Sequence, residues 1–164
     1  MYHGERFNAY SHLAGSMLAV AALVLMTVKA NGPYQLASAL TYGICLILLY
    51  LGSTLYHSIP QPKIKAILQK VDHCMIYLLI AGSYTPFTLI PLKGGWGWSL
   101  FGLSWGLALF GIIQELTIGR KSEKRLLSMM IYVIMGWLIL VAVSPLVRTL
   151  PFAGLFWLAL GGIL

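Results

Sequence analysis

Ser53-Thr54-Leu55-Tyr56-His57-Ser58-Ile59-Pro60-Gln61-Pro62-Lys63-Ile64-Lys65-Ala66-Ile67-Leu68-Gln69-Lys70-Val71-Asp72-His73 joins two long apolar runs through one short basic link. Proline lacks a backbone donor and its ring clashes with a continuing helix, so Pro60 and Pro62 mark a break between two helices. The link is bounded by Ser53 and His57 on one side and by Asp72 and His73 on the other. Ionisable groups at the rim of a membrane helix are costly to keep there, which makes this stretch the first place to look for function.

Outward from that stretch the same layout repeats. Of the 164 residues, 59% are apolar and only 9% charged, and the mean hydropathy is +0.84, values far from the soluble average and in the membrane direction. A spanning helix needs about 20 mostly apolar residues. Runs of that length fall at 11–28, 36–57, 71–92, 98–118 and 126–147, with Asn31-Gly32-Pro33, Lys93-Gly94-Gly95 and the charged stretch 119–125 between them. Pro86 should kink the third run, while Pro145 and Pro151 bracket a short turn through Arg148. Trp96 and Trp98, beside a glycine turn, suit the headgroup level.

The expectation is a single all-α, multi-pass transmembrane helical bundle over residues 1–164, with five full helices and a partial sixth at 152–164. That last run reaches only about 20 Å of a hydrocarbon core roughly 30 Å thick, so the sequence reads as truncated inside a helix. Arg6, the run 13–28 and Val28-Lys29-Ala30 have the outline of a cleavable signal. Glu5, Asn8 and His12 do not suit one, and a second apolar run follows at once.

The net charge of +7 does not point to nucleic acid, because the basic residues stand in short clusters between apolar runs. Arg6, Lys63, Lys65, Lys70, Arg120, Lys121, Lys124 and Arg125 fall on one side of the expected bilayer, and Lys29, Lys93 and Arg148 on the other. Eight against three places the amino terminus and the two most basic links in the cytoplasm, in a plasma-membrane protein. Cys45 and Cys74 lie inside apolar runs without metal-site spacing and read as small hydrophobes.

This orientation brings Asn8, Ser11, His12, Ser53, His57, Asp72 and His73 to one depth. Ser53 and His57, four apart, share a helix face, although a serine bonding its own backbone and a histidine snorkelling to the headgroups would look the same. Asp72 can cap the third helix, or hold a metal-bound water and its proton beside His57. His73 points roughly 100° away from Asp72. Glu5, Asn8 and His12 make one stripe if the first helix extends that far, either bonding helices together or supporting a site. Glu115, an acid at a helix carboxyl end, requires a partner that the sequence does not name. By residue type, catalytic zinc takes about three protein ligands. His57, His12 and His73 reach that number, but no H-E-x-x-H spacing groups them, so the residues alone leave the metal open.

Glu5-x-x-Asn8-x-x-Ser11-His12-Leu13-x-Gly15, Ser53-x-x-Tyr56-His57 and Asp72-His73-x-x-Ile76-Tyr77-x-x-Ile80-Ala81-Gly82-x-Tyr84-Thr85-Pro86 together resemble the hemolysin III branch of the progestin and adipoQ receptor family, over nearly the whole chain. The resemblance implies seven helices, a cytoplasmic amino terminus and a zinc site shared with the alkaline ceramidases. It makes His57 a zinc ligand, Asp72 the holder of the zinc-bound water and Ser53 a member of the same catalytic site; Glu5, Asn8, Ser11, His12 and His73 stand beside it as supporting candidates by their place in the sequence alone, without a ligand role. The two remaining histidine ligands come from a seventh helix that this sequence lacks, so its zinc site would be incomplete.

Three functions follow as expectations. The first is a zinc-dependent hydrolase of lipid amide or ester bonds at the cytoplasmic leaflet, in a longer parent. The second is a membrane-permeabilising cytolysin. The third is a receptor with a structural zinc. Membrane lipids are the expected partners in each.

Overall fold

The computed structural model describes residues 2–118 and 122–163. A 3-10 turn, His3–Glu5, leads into α1 (Arg6–Lys29), followed by α2 (Pro33–Ser58), α3 (Pro62–Leu89), α4 (Gly95–Ile118) and α5 (Ser122–Trp137). A second 3-10 turn, Leu138–Ala142, separates α5 from the short α6 (Val143–Thr149), and α7 is Phe152–Ile163. Among the described residues there is no strand, as an all-α membrane bundle requires.

Among the described residues four spans are long and apolar enough to cross a bilayer: Arg6–Lys29, Pro33–Ser58, Gly95–Thr117 and Leu126–Thr149. This corrects the expected five full helices and a partial sixth. The third helix, though 28 residues long, opens with Lys63, Lys65, Lys70 and Asp72 and carries hydroxyls through Thr88. It can be this polar because it is the central helix, packed against α2, α4 and α5, with Cys74, Tyr77, Ala81, Gly82, Tyr84, Thr85 and Thr88 buried. Protein replaces lipid around it.

The boundaries of α3 also differ from the sequence reading. It starts at Pro62, nine residues before Val71, because proline at the first helical position loses no bond and is already set to a helical φ. Asp72 therefore sits in the third turn and cannot cap the helix. Pro86 lies within one turn of the end, where its missing donor affects few bonds. Of the expected basic turn, Gly119, Arg120 and Lys121 lie outside the described residues.

The fifth expected run, 126–147, is not one α-helix. Pro145 cannot donate to the carbonyl of Val141 and its ring crowds that carbonyl, so the chain tightens into the 3-10 turn Leu138–Ala142 just upstream. Tyr84 of α3 repairs the interruption. Its hydroxyl donates to the Met135 carbonyl at 2.6 Å and accepts the Ile139 N–H at 2.8 Å. In hydrocarbon a freed backbone group costs several kcal/mol unless protein satisfies it, roughly 2–7 on small-molecule scales. The segment read as a turn around Arg148 is instead α6.

Close helix contacts depend on small residues. A Cβ at Gly111 of α4 would run into the ring of Tyr77, and one at Gly82 of α3 would lie 2.9 Å from the Cys45 sulfur of α2. Both glycines let neighbouring backbones approach, which is how helices associate where lipid offers no hydrophobic incentive. Tyr77, Ala81, Ala108, Ile131 and Met135 then pack as the core between α3, α4 and α5.

Candidate functional site

Alternating helices put the start of α1, the end of α2 and the start of α3 at one end of the bundle, with the end of α4 and the start of α5 beside them. Two ionic clusters form there, one joining α3 to α1 and α2 and the other joining it to α4 and α5.

The first joins α1, α2 and α3. Lys65 donates from Nζ to Glu5 Oε2 at 2.7 Å and to the Tyr56 carbonyl at 2.9 Å. Its ammonium lies 4.4 Å from the centre of the Tyr56 ring and 5.4 Å from that of Tyr2, a cation-π arrangement. Tyr2 in turn donates its hydroxyl to the Pro60 carbonyl at 3.1 Å. The hydrogen-bonded Lys65 ammonium holds the Glu5 carboxyl below its ordinary range, against the opposing effect of burial. His57 Nδ1 stands 3.7 Å from Glu5 Oε1, beyond hydrogen-bond length.

His12 completes this group. Its ring lies edge-on to His57 with centroids 5.9 Å apart, and edge-on to Tyr50 at 5.7 Å. The Nδ1 atoms of His12 and His57 are both fully buried without a hydrogen-bond partner. Buried polar atoms are nearly always paired, so two orphans side by side mark a place of chemical interest.

The expected supporting residues separate here. Glu5 and His12 face the bundle, but Asn8 and Ser11 are exposed, and the Ser11 hydroxyl bonds the Asn8 carbonyl at 3.1 Å. α1 begins at Arg6, so Glu5 is its cap residue and the stripe is not one continuous helical face. Ser53 is buried one turn before His57. Asp72 is partly buried and, among the described residues, makes no hydrogen bond or ion pair.

His73 forms the second cluster. Its Nδ1 lies 3.0 Å from Glu115 Oε1, which supplies the partner that Glu115 requires. The Ser128 hydroxyl of α5 lies 3.2 Å from both Glu115 Oε2 and Gln114 Oε1. Tyr132 donates to the His73 carbonyl at 3.1 Å, and its ring packs at a tilt against Tyr77, with centroids 4.3 Å apart. His73 is thus a bridge from α3 to α4.

Lys65 is the residue that the sequence reading missed, having counted it only as a topological charge. Sixty positions separate it from Glu5, and no local pattern signals such a pair. For zinc, the described residues do not make a centre by themselves: among them no group of three or more His, Cys, Asp or Glu is placed to hold a metal. Glu5, the acid nearest His57 in this cluster, is already bonded to an ammonium.

Residues 1–164 match the model of the family described as Haemolysin-III related. Hemolysin-3 of Bacillus cereus is 45% identical over 163 residues, 98% of this chain and 74% of that protein. The Hemolysin-3 homolog of Bacillus subtilis is 44% identical, covering 98% of this chain and 76% of its own length. The human Monocyte to macrophage differentiation factor is 27% identical over 168 residues, 96% of this chain and 66% of that protein. No solved structure matches the chain significantly.

Proposed function

The chain belongs to the haemolysin-III related family, and from that premise we propose that it is a multi-pass membrane protein of the cytolysin class, whose activity makes a lipid bilayer leaky. The observation that carries this reading is the pair of relatives named Hemolysin-3, 44% and 45% identical and aligned with 98% of this chain. Large apolar side chains such as Phe7, Leu18 and Val28 on α1 are exposed along the perimeter, which suits permanent residence in lipid. The positive-inside bias orients the amino terminus and both ionic clusters toward the cytoplasm.

A second reading is a zinc-dependent hydrolase of lipid amide or ester bonds, with Ser53 and Asp72 at the reacting centre and His57 as a metal ligand. It is favoured by one observation, the two buried imidazole nitrogens of His12 and His57 that lack partners. Zinc would supply an activated water at neutral pH.

One experiment separates the two. The full chain is reconstituted into phosphatidylcholine vesicles holding a self-quenched dye, with and without a zinc chelator, and the lipids are analysed by mass spectrometry. Dose-dependent release that persists with chelator and leaves the lipids intact is expected. Release no greater than with an unrelated multi-pass protein rejects the cytolysin reading. Lipid cleavage that is lost in Asp72→Asn and with chelator establishes the second.

A further inference from the structure

The opposite end of the bundle holds a feature that neither function uses. A crevice of about 340 Å³ opens between the last turn of α1, the first turns of α2 and the end of α3, walled by Leu25, Met26, Lys29, Gln35, Ser38 and Ile90 among others.

Its charge is one-sided. All four Asp and Glu residues of the chain, Glu5, Asp72, Glu115 and Glu123, belong to the other end by their places just before α1, in the first half of α3, near the end of α4 and at the start of α5. Lys29 lines the crevice, and Lys93 is held 4.2 Å over the ring of Tyr34, the residue preceding Gln35. Neither lysine forms an ion pair among the described residues.

The start of α2 adds to that field. Gly32, with φ of 98°, is its cap residue and offers no side-chain oxygen, and Pro33 has no N–H. The first bond back to the cap comes from Leu36 N–H to the Gly32 carbonyl at 3.1 Å. The N–H groups of Tyr34 and Gln35 are therefore left at the positive end of a 26-residue helix. The Gln35 carbonyl is fixed by the Asn31 N–H at 2.8 Å, which leaves its amide NH2 as a further donor.

Ser38 is the independent observation. It is 2% exposed and its hydroxyl has no hydrogen-bond partner. Several other buried helical hydroxyls turn back to a carbonyl three or four residues earlier, as Ser16 does to Leu13, Thr54 to Tyr50 and Thr85 to Ala81. Ser38 forgoes that bond and lines the crevice.

We propose that this crevice binds the phosphate headgroup of an anionic membrane phospholipid. The phosphate sits at the α2 N-terminus within reach of Lys29, Lys93, Gln35 and Ser38, and one acyl chain lies along Leu25, Met26 and Ile90. Helix N-termini with free N–H groups take phosphate readily, and the apolar walls select an amphiphile over a free ion.

The test is native mass spectrometry of the full chain released from detergent, with phosphatidylglycerol, phosphatidylcholine or inorganic phosphate added. Phosphatidylglycerol should be retained in preference to phosphatidylcholine, and inorganic phosphate should neither remain bound nor compete. Each of Lys29→Gln and Lys93→Gln should lower phosphatidylglycerol retention about fivefold, the effect of one basic residue near a membrane surface. Ser38→Ala, which preserves helix and volume, should lower it without changing phosphatidylcholine retention. Equal retention of the two lipids, or an unchanged preference in the Lys29→Gln, Lys93→Gln double variant, overturns the proposal. Full competition by inorganic phosphate overturns the assignment to lipid.

Discussion

The two ionic clusters built on α3 use similar residues and rest on different physics. In the Glu5–Lys65 pair the side chains keep 22% and 16% of their exposure, and water can replace either partner. In the His73–Glu115 pair the imidazole keeps 31% but the carboxylate only 8%, with Ser128 of α5 bonded to its second oxygen. A shared geometry therefore does not imply a shared energetic weight: the first pair is an adjustable clasp and the second a structural commitment of three helices.

Breaking the second pair should give the largest effect. His73→Ala leaves the buried Glu115 carboxylate, among the described residues, with Ser128 alone to answer it, and should cost about 3 kcal/mol, the upper range for a buried acceptor that loses its partner. Thermal unfolding in detergent measures this, and a loss no larger than that of the Lys65 variant below would erase the contrast. Tyr84→Phe comes next. It removes a donor and an acceptor from the interruption after Trp137 and should cost about 2 kcal/mol, with the Ile139 amide exchanging faster while α1 and α2 are unaffected.

The smallest effect belongs to Lys65→Met, at about 0.5–1 kcal/mol for a pair that water can reach. Its signature is pH. Because the folded Glu5 carboxyl titrates below its ordinary value of 4.5, its contribution to stability is complete above that value and is lost as the pH falls through the lower folded value. Unfolding temperatures measured from neutral pH to pH 3 should show this loss in the parent chain, and Lys65→Met should flatten it.

Much of this organisation was legible in the sequence. The Asn31-Gly32-Pro33 turn and the first two helices follow from run length and helix breakers, and the gathering of Glu5, His12, His57 and His73 at one end follows from alternating helix direction. What escaped was pairing. His73 finds Glu115 across 42 positions and Lys65 finds Glu5 across 60, through rotations of whole helices that no local spacing encodes. The lysines of 63–70 suggested a link because they are charged, yet Pro62 in the first helical position and the partner at Glu5 let them extend α3 by two turns and more. The break at Leu138–Ala142 escaped for a related reason: Pro145 announced a disturbance, but its position and its repair depended on Tyr84, a residue from another helix.

That repair has a practical outcome for the bilayer. A discontinuity lined by unsatisfied peptide groups would recruit a file of water molecules and give protons a path across. With a phenol answering both the Met135 carbonyl and the Ile139 N–H, neither of these two groups needs a water molecule where the backbone is least regular.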